Sequence, residues 1–144
     1  MTVVVDTSVA VKWVFNEVLS REARSLREFW IAEHGDIAVP SWFSCEVANV
    51  FFQSIRVGRD TQQDAEMFIT AILQAVSIVD VNGNLAVRAP QIADAAGQKA
   101  TYDSFYVALA EHLKCELWTA DERSWQAVSG NYPFVKWLGN VSVS

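Results

Sequence analysis

ATYDSFYVALAEHLKCELWTAD, Ala100 to Asp121, is the stretch from which the rest of the chain is read. Phe105 to Ala110 is an unbroken apolar run, so the helix that carries it has apolar groups on most sides and must be largely buried. One carboxylate, Asp103, leads into that helix. A short strand follows from Glu116 to Thr119 and ends at a second carboxylate, Asp121. An acid in the first turn of a buried helix either satisfies an orphan N–H there or faces a cleft in which something else matches its charge. The N-terminus repeats the placement. Val3, Val4 and Val5 form the continuous β-branched run of a strand buried on both faces, and Asp6, Thr7 and Ser8 follow where strand gives way to helix.

Outward from these two stretches the same alternation continues. The first helix begins near Thr7 and ends before Asn16. A second, Ser20 to Glu33, turns Ala23, Leu26, Phe29 and Trp30 inward and Arg21, Arg24, Arg27 and Glu28 to water; Gly35 stops it. Strand two is Ile37 to Val39, and Ser41 after Pro40 is placed to cap the next helix. That helix sets Phe43, Cys45, Val47, Val50 and Phe51 on an apolar face with Trp42, and Glu46, Asn49 and Gln53 on a polar one. Gly58 ends it. Thr61 and Asp64 form a capping pair for a helix from Gln62 to Gln74. Strand three is Ser77 to Val81, with Asp80 inside it. The helical pattern from Leu85 to Ala96 should break at Pro90, which removes a backbone donor. After the central helix and strand four, a short helix runs from Glu122 to Val128, with Asp121 as a candidate cap, and Phe134 to Leu138 reads as a fifth, edge strand. Strands alternating with helices at this spacing imply an α/β fold, a parallel sheet covered on both faces.

The composition fits one domain over residues 1–144, with 51% hydrophobic residues and six Trp as core material. No apolar run approaches the roughly 18 residues that span a bilayer, and the N-terminus lacks the blocks of a signal peptide, so a cytoplasmic, membrane-free protein is expected. Cys45 and Cys115 are isolated and read as reduced, buried, small apolar residues. His34 and His112 read as surface or helix-end residues rather than ligands.

A net charge of -6 argues at first against a nucleic-acid partner. If Asp6, Glu46, Asp103 and Asp121 form one cluster, however, only -2 remains for the rest of the chain. Divalent cations would neutralise the cluster, leaving Lys12, Arg56, Arg59, Lys99 and Arg123 available to a phosphate backbone. Each acid also has a plainer reading. Asp6 and Asp121 precede helices and are good caps, Glu46 is a polar-face glutamate, and Asp103 complements a helix dipole.

Two strands that end in an acid, an apolar helix that opens with a third, and Glu46 within SWFSCEVANVFFQ make a set that resembles the PIN-domain nucleases, most closely the VapC-type toxins of toxin-antitoxin pairs. YDSFYVALA around Asp103 and TAD around Asp121 carry the likeness, which spans nearly the whole chain. The resemblance implies a three-layer α/β/α fold with a five-stranded, mainly parallel sheet in the order 3-2-1-4-5. That order makes strands one and four neighbours at a topological switch point, where ligands of open α/β sheets bind. It also implies that Asp6, Glu46, Asp103 and Asp121 are the catalytic, metal-holding residues, with Ser8 and Thr119 in secondary roles beside them.

The implied activity is endoribonuclease cleavage with one or two Mg²⁺ or Mn²⁺ ions, leaving 5′-phosphate and 3′-hydroxyl ends. Hard cations prefer oxygen ligands, and a metal-bound water can serve as nucleophile without a catalytic histidine. The implied partners are RNA, a cognate antitoxin and a second copy of the chain, with part of the aromatic group Trp13, Phe15, Trp42, Phe43, Phe51 and Phe52 available for a groove or dimer face. A standalone RNA-processing PIN nuclease and a non-catalytic PIN interaction module are the alternatives. A haloacid-dehalogenase phosphatase would need an acid where Ser8 stands. A receiver domain would need one at the exit of strand three.

Overall fold

Val3, Val4 and Val5 are all buried in strand β1 (Thr2–Val5) of the computed structural model, which describes residues 1–99 and 101–143. Ala100, at the head of the stretch quoted above, lies outside the described residues. Successive side chains of a strand point to opposite faces, so burial of all three means that both faces are covered. Strands β2 (Asp36–Pro40), β3 (Ser77–Val79), β4 (Glu116–Thr119) and β5 (Val135–Trp137) complete one sheet in the order β3-β2-β1-β4-β5. Every pairing in it is parallel, as the resemblance implied.

Parallel neighbours need long crossovers, and helices supply them. Helices α1 (Thr7–Ala10) and α2 (Ser20–Ala32) lie between β1 and β2, and α3 (Phe43–Arg56) and α4 (Gln62–Gln74) between β2 and β3. Helices α5 (Gly83–Ala95) and α6 (Tyr102–Leu113) link β3 to β4, and α7 (Glu122–Val128) links β4 to β5. The core is continuous across these layers. Tyr106 to Ala110 are buried as the apolar run required, with Phe43, Val47 and Phe51 of α3 and Leu85, Ala89 and Ile92 of α5. Among the described residues no helix is long and apolar enough to cross a membrane.

Several local expectations give way to tertiary context. The first helix is one α-turn followed by a 3-10 turn, Val11–Trp13, held at its end by Arg24. The Arg24 guanidinium donates to the carbonyls of Trp13 (3.1 Å) and Phe15 (2.9 Å), and Arg27 lies over the Trp13 ring. Neither arginine is simply on the wet side, because Arg24 satisfies the exposed end of that turn and Arg27 packs on the Trp13 ring, whereas Phe29, expected inward, is exposed. Ser41 does not cap α3. The helix begins at Phe43 after Trp42, which makes no side-chain cap. β3 stops at Val79, leaving Asp80 just beyond it. β5 is shorter than expected, Val135–Trp137. Cys45 is exposed and Cys115 half-buried, both free. Gly58 adopts φ +77, the left-handed geometry that lets the chain leave α3 where a β-carbon would be strained.

Pro90 does not break α5. The helix runs through it, started by Asn82, whose side chain accepts from the N–H of Leu85 at 3.1 Å. Leu85, Ala89, Ile92 and Ala93 are buried on one side of α5 while Pro90 is exposed, so packing holds the backbone helical despite the missing donor. Replacing Pro90 by Ala restores the bond to the Ala86 carbonyl and should stabilise the fold by about 2 kcal/mol, after allowing for the freer unfolded chain. An increased urea midpoint with an unchanged m-value is the expected result; an unchanged midpoint would mean that the local backbone already accommodates the proline without cost.

Candidate active site

The pairing of β1 with β4 sets Val3 against Glu116, Val4 against Leu117 and Val5 against Trp118. The N–H of Asp6 extends the ladder, donating to the Trp118 carbonyl at 3.2 Å. Asp6 and Asp121 therefore leave the sheet side by side, beyond the carboxyl ends of two neighbouring strands from which the chain departs in opposite directions. Glu46 comes from the first turn of α3 and Asp103 from the first turn of α6. All four acids line one cleft of about 360 Å³, in the crevice where open α/β sheets bind ligands.

The plainer reading of two of these acids is also correct. Asp6 caps α1, its Oδ1 accepting from the Val9 N–H at 3.3 Å. Asp121 caps α7 through Oδ1, which accepts from the N–H groups of Arg123 (2.9 Å) and Ser124 (3.3 Å). A relay of hydroxyls joins the two strand exits. Ser8 donates to Asp6 Oδ1 and accepts from the Ala120 N–H at 2.9 Å. Thr119 Oγ1 lies 3.5 Å from Ser8 Oγ and accepts from the Asp121 N–H at 3.1 Å. Ser8 thus bonds a carboxylate directly, while Thr119 braces the backbone of the other acid.

Glu46 is bound differently. Its Oε1 accepts from Trp42 Nε1 at 3.1 Å, from Thr7 Oγ1 at 3.3 Å and from the Tyr106 hydroxyl. Burial and the Glu46 carboxylate push the Tyr106 hydroxyl far above its ordinary range, so it remains a proton donor. Thr7, Tyr106, Asn49 and Ser124 line the cleft beside the acids, although the sequence reading assigned them no part in it. Helical spacing was the available signal: Trp42 is four residues before Glu46, and Tyr106 three after Asp103.

The cluster's charge is uncompensated. The ion pairs among the described residues, Lys12 and Arg59 with Glu17 and Arg88 with Glu111, leave all four acids out. Burial pushes the Asp6 carboxyl up to about 6, against the pull of the Ser8 and Thr119 hydroxyls and the Val9 N–H, and Asp103 raises it further. Burial and then the Asp121 charge raise Asp103 as well. Asp103 makes no side-chain cap and has no hydrogen-bond partner among the described residues.

An all-oxygen donor set with excess negative charge fits a hard divalent cation such as Mg²⁺ or Mn²⁺. Among the described residues, no three of the His, Cys, Asp and Glu side chains are grouped to hold one ion between them. Asp6 and Asp121 each bond their own helix end through Oδ1, and Glu46 bonds Trp42, Thr7 and Tyr106 through Oε1. A cation here would meet few carboxylates and keep several waters, as Mg²⁺ commonly does.

Fold and cleft define an α/β protein with an acid-lined crevice at the switch point of a parallel sheet. The chain belongs to the PIN domain family, whose model matches residues 3–131. PIN domains are generally nucleases that use divalent metal ions. No curated protein matches the chain in sequence. Solved structures share the fold at low identity. PAE2754 from Pyrobaculum aerophilum superposes with a TM-score of 0.67 at 19% identity, covering 90% of this chain and 81% of that one. A toxin-antitoxin complex from Klebsiella pneumoniae gives 0.64 at 18%, covering 94% and 97%. VapBC2 from Rickettsia felis, bound to a DNA fragment from its promoter, gives 0.67 at 13%, covering 94% and 98%.

The raised Asp6 value has a definite sign. The folded state holds this proton more tightly than the unfolded chain does, so the contribution to stability is complete below about pH 4 and is lost as pH rises through about 6. In chelated buffer Asp6→Asn should therefore melt above the parent at pH 7.5 (roughly neutral), where the parent carries the buried charge, with the advantage gone by about pH 4. Thermal melts across that range test it. A mutant less stable than the parent at neutral pH would show that the cap outweighs the buried charge.

Proposed function

We propose that the chain, acting as a single domain over residues 1–144, is a divalent-metal-dependent endoribonuclease and the VapC-like toxin of a toxin-antitoxin pair. The observation that carries the reading is the meeting of four carboxylates from four separate elements in one cleft without a basic partner. Mutual repulsion makes such a cluster costly as structure alone, and two of its members are raised in pKa for that reason among others. In this reading Asp6, Glu46, Asp103 and Asp121 hold one or two Mg²⁺ or Mn²⁺ ions. A bound ion supplies charge neutralisation for the phosphodiester and acidifies a water for attack.

The chain's own groups divide the work. Asp103, with no hydrogen bond among the described residues, is the acid most available to a ligand. Asp6 and Asp121 are fixed by their caps, and the Ser8–Thr119 relay keeps the two strand exits in step. Lys99 lies with Gln98 and Tyr102 around a second hollow that Asp103 shares, which places a cation and an exposed ring beside the cleft for a nucleic-acid strand. Lys12 and Arg59 are paired with Glu17, 3.0 and 3.7 Å away.

The toxin assignment rests on the likeness to toxin-antitoxin structures, and the partners proposed with it are a cognate antitoxin and a second copy of the chain in the cytoplasm. Most of the aromatic group expected to feed an interface is spent on the core. Trp13, Phe15, Phe43 and Phe51 are buried and Trp42 is half-buried, leaving Phe52, 55% exposed, as the aromatic of that set open to a partner.

Purified protein should cleave RNA with Mg²⁺ or Mn²⁺ and lose the activity in excess EDTA, and Asp6→Asn or Asp103→Asn should reduce cleavage to background. Undiminished cleavage in EDTA would end the metal-dependent reading. Expression should arrest growth, with relief by the protein encoded next to it; a strictly monomeric protein with no effect on growth would remove the toxin assignment and leave the nuclease.

Binding can be followed without substrate. Mn²⁺ at a hundredfold excess over its dissociation constant should add about 2.7 kcal/mol of stability. Asp103→Asn should melt at or above the parent without metal and gain less from Mn²⁺. An intact Mn²⁺ shift in that mutant would take Asp103 out of the site.

A further inference from the structure

We propose that Tyr106, Trp42 and Thr7 are positioning residues that commit Glu46 to a single oxygen, Oε2, as the atom it offers to a divalent cation in the cleft. The inference rests on the cation-binding reading given above and adds to it how one of the four acids is presented.

A carboxylate oxygen has two lone pairs in its plane, and those of Glu46 Oε1 are taken. Trp42 Nε1 donates at 3.1 Å and the buried Tyr106 hydroxyl donates to the same atom. Thr7 Oγ1 stands 3.3 Å from Oε1 and 3.1 Å from the Tyr106 oxygen, so its one proton serves either acceptor and closes the group. No hydrogen bond reaches Oε2 among the described residues, and Oε2 is not one of the buried atoms left without a partner. It is therefore open to solvent, on a side chain that lines the acid cleft.

The three donors come from three elements and are themselves immobilised. Thr7 opens α1 directly after β1, Trp42 precedes α3, and Tyr106 sits in the middle of the core, 2% exposed. The Trp42 ring packs edge-on against Phe105 (centroids 4.5 Å apart) and Tyr106 (6.1 Å). A glutamate on an open helix face samples many rotamers, and ordering it on binding costs free energy. Here that cost is met on folding. A network that served only to satisfy a half-buried carboxylate would have reason to cover both oxygens. This one gathers its donors on Oε1 and leaves Oε2 without one among the described residues, on a side chain that lines the acid cleft.

Mn²⁺ affinity measured by the electron paramagnetic resonance signal of the free ion, with metal-free melting alongside, tests the assignment. Tyr106→Phe deletes only the hydroxyl and should weaken Mn²⁺ binding by about tenfold or more, the usual effect of removing a group that orients a metal ligand. Trp42→Phe should act in the same direction, and because that ring is half-exposed it carries the test if Tyr106→Phe fails to fold. In a Glu46→Gln background, neither change should weaken Mn²⁺ further, since the group they orient is no longer charged.

Three results would overturn the proposal. One is a lower melting temperature with Mn²⁺ affinity within about twofold of the parent, which would make the network structural only. Another is a full additional loss in the Glu46→Gln background. In both cases, provided Glu46→Gln itself weakens Mn²⁺, the proposed function stands and only the positioning role falls. The third is Mn²⁺ affinity unaffected by Glu46→Gln, which would take Glu46 out of the site and the inference with it, whereas a parent that binds no Mn²⁺ would remove the reading of the cleft as well.

Discussion

The parallel pairing of β1 with β4 is the constraint on which the rest of this molecule depends. It joins strands separated by more than a hundred residues in the chain, and its register places Asp6 and Asp121 at neighbouring exits of the sheet. The Asp6 N–H bond to Trp118 carries the ladder one residue past the strand, so the first acid is anchored by backbone geometry. Everything else at the site is delivered to that edge. α3 brings Glu46 after β2, and α6, buried along Tyr106 to Ala110, brings Asp103 to the same end of the sheet. A slip of β4 by one residue against β1 would turn its side chains over to the opposite faces and shift Asp121 relative to Asp6.

Two of the carboxylates in this cleft are also helix caps. Asp6 and Asp121 satisfy orphan donors of short helices, which would fray without them, and their negative charge suits a helix N-terminus. Asp103 has no such outlet. Burial and the charge of Asp121 both raise its pKa, and among the described residues it has its place in the first turn of α6 but no hydrogen bond to offset them. Capping is therefore not at odds with a place in the cleft at Asp6 and Asp121, whereas Asp103 makes no side-chain cap among the described residues.

The Glu46 network shows how a core can reach into a polar site. Tyr106 belongs to the hydrophobic run that makes α6 a central helix, yet its hydroxyl is the one polar atom of that run's buried middle and it ends on a cleft-lining acid. The ring is fixed by packing, and the acid is fixed by the ring.

Much of this was present in the sequence as short-range pattern. The β-branched run at Val3 to Val5, the apolar run from Phe105 to Ala110 and the alternation of strands with helices determined an α/β sheet covered on both faces, because burial periodicity is a property of neighbouring residues. The caps at Thr61 and Asp121 were likewise readable, since a cap and the donor it satisfies lie within three residues of each other. The strand order and the four acids came from resemblance to PIN-domain proteins rather than from periodicity. Tertiary structure alone decided that Pro90 stays helical, that Arg24 closes the turn after α1 while Arg27 covers the Trp13 ring, and that Glu46 is gripped by Thr7, Trp42 and Tyr106. Thr7 and Tyr106 are separated from Glu46 by 39 and 60 residues, and the free energy that joins them is gained only when the sheet has brought their elements together.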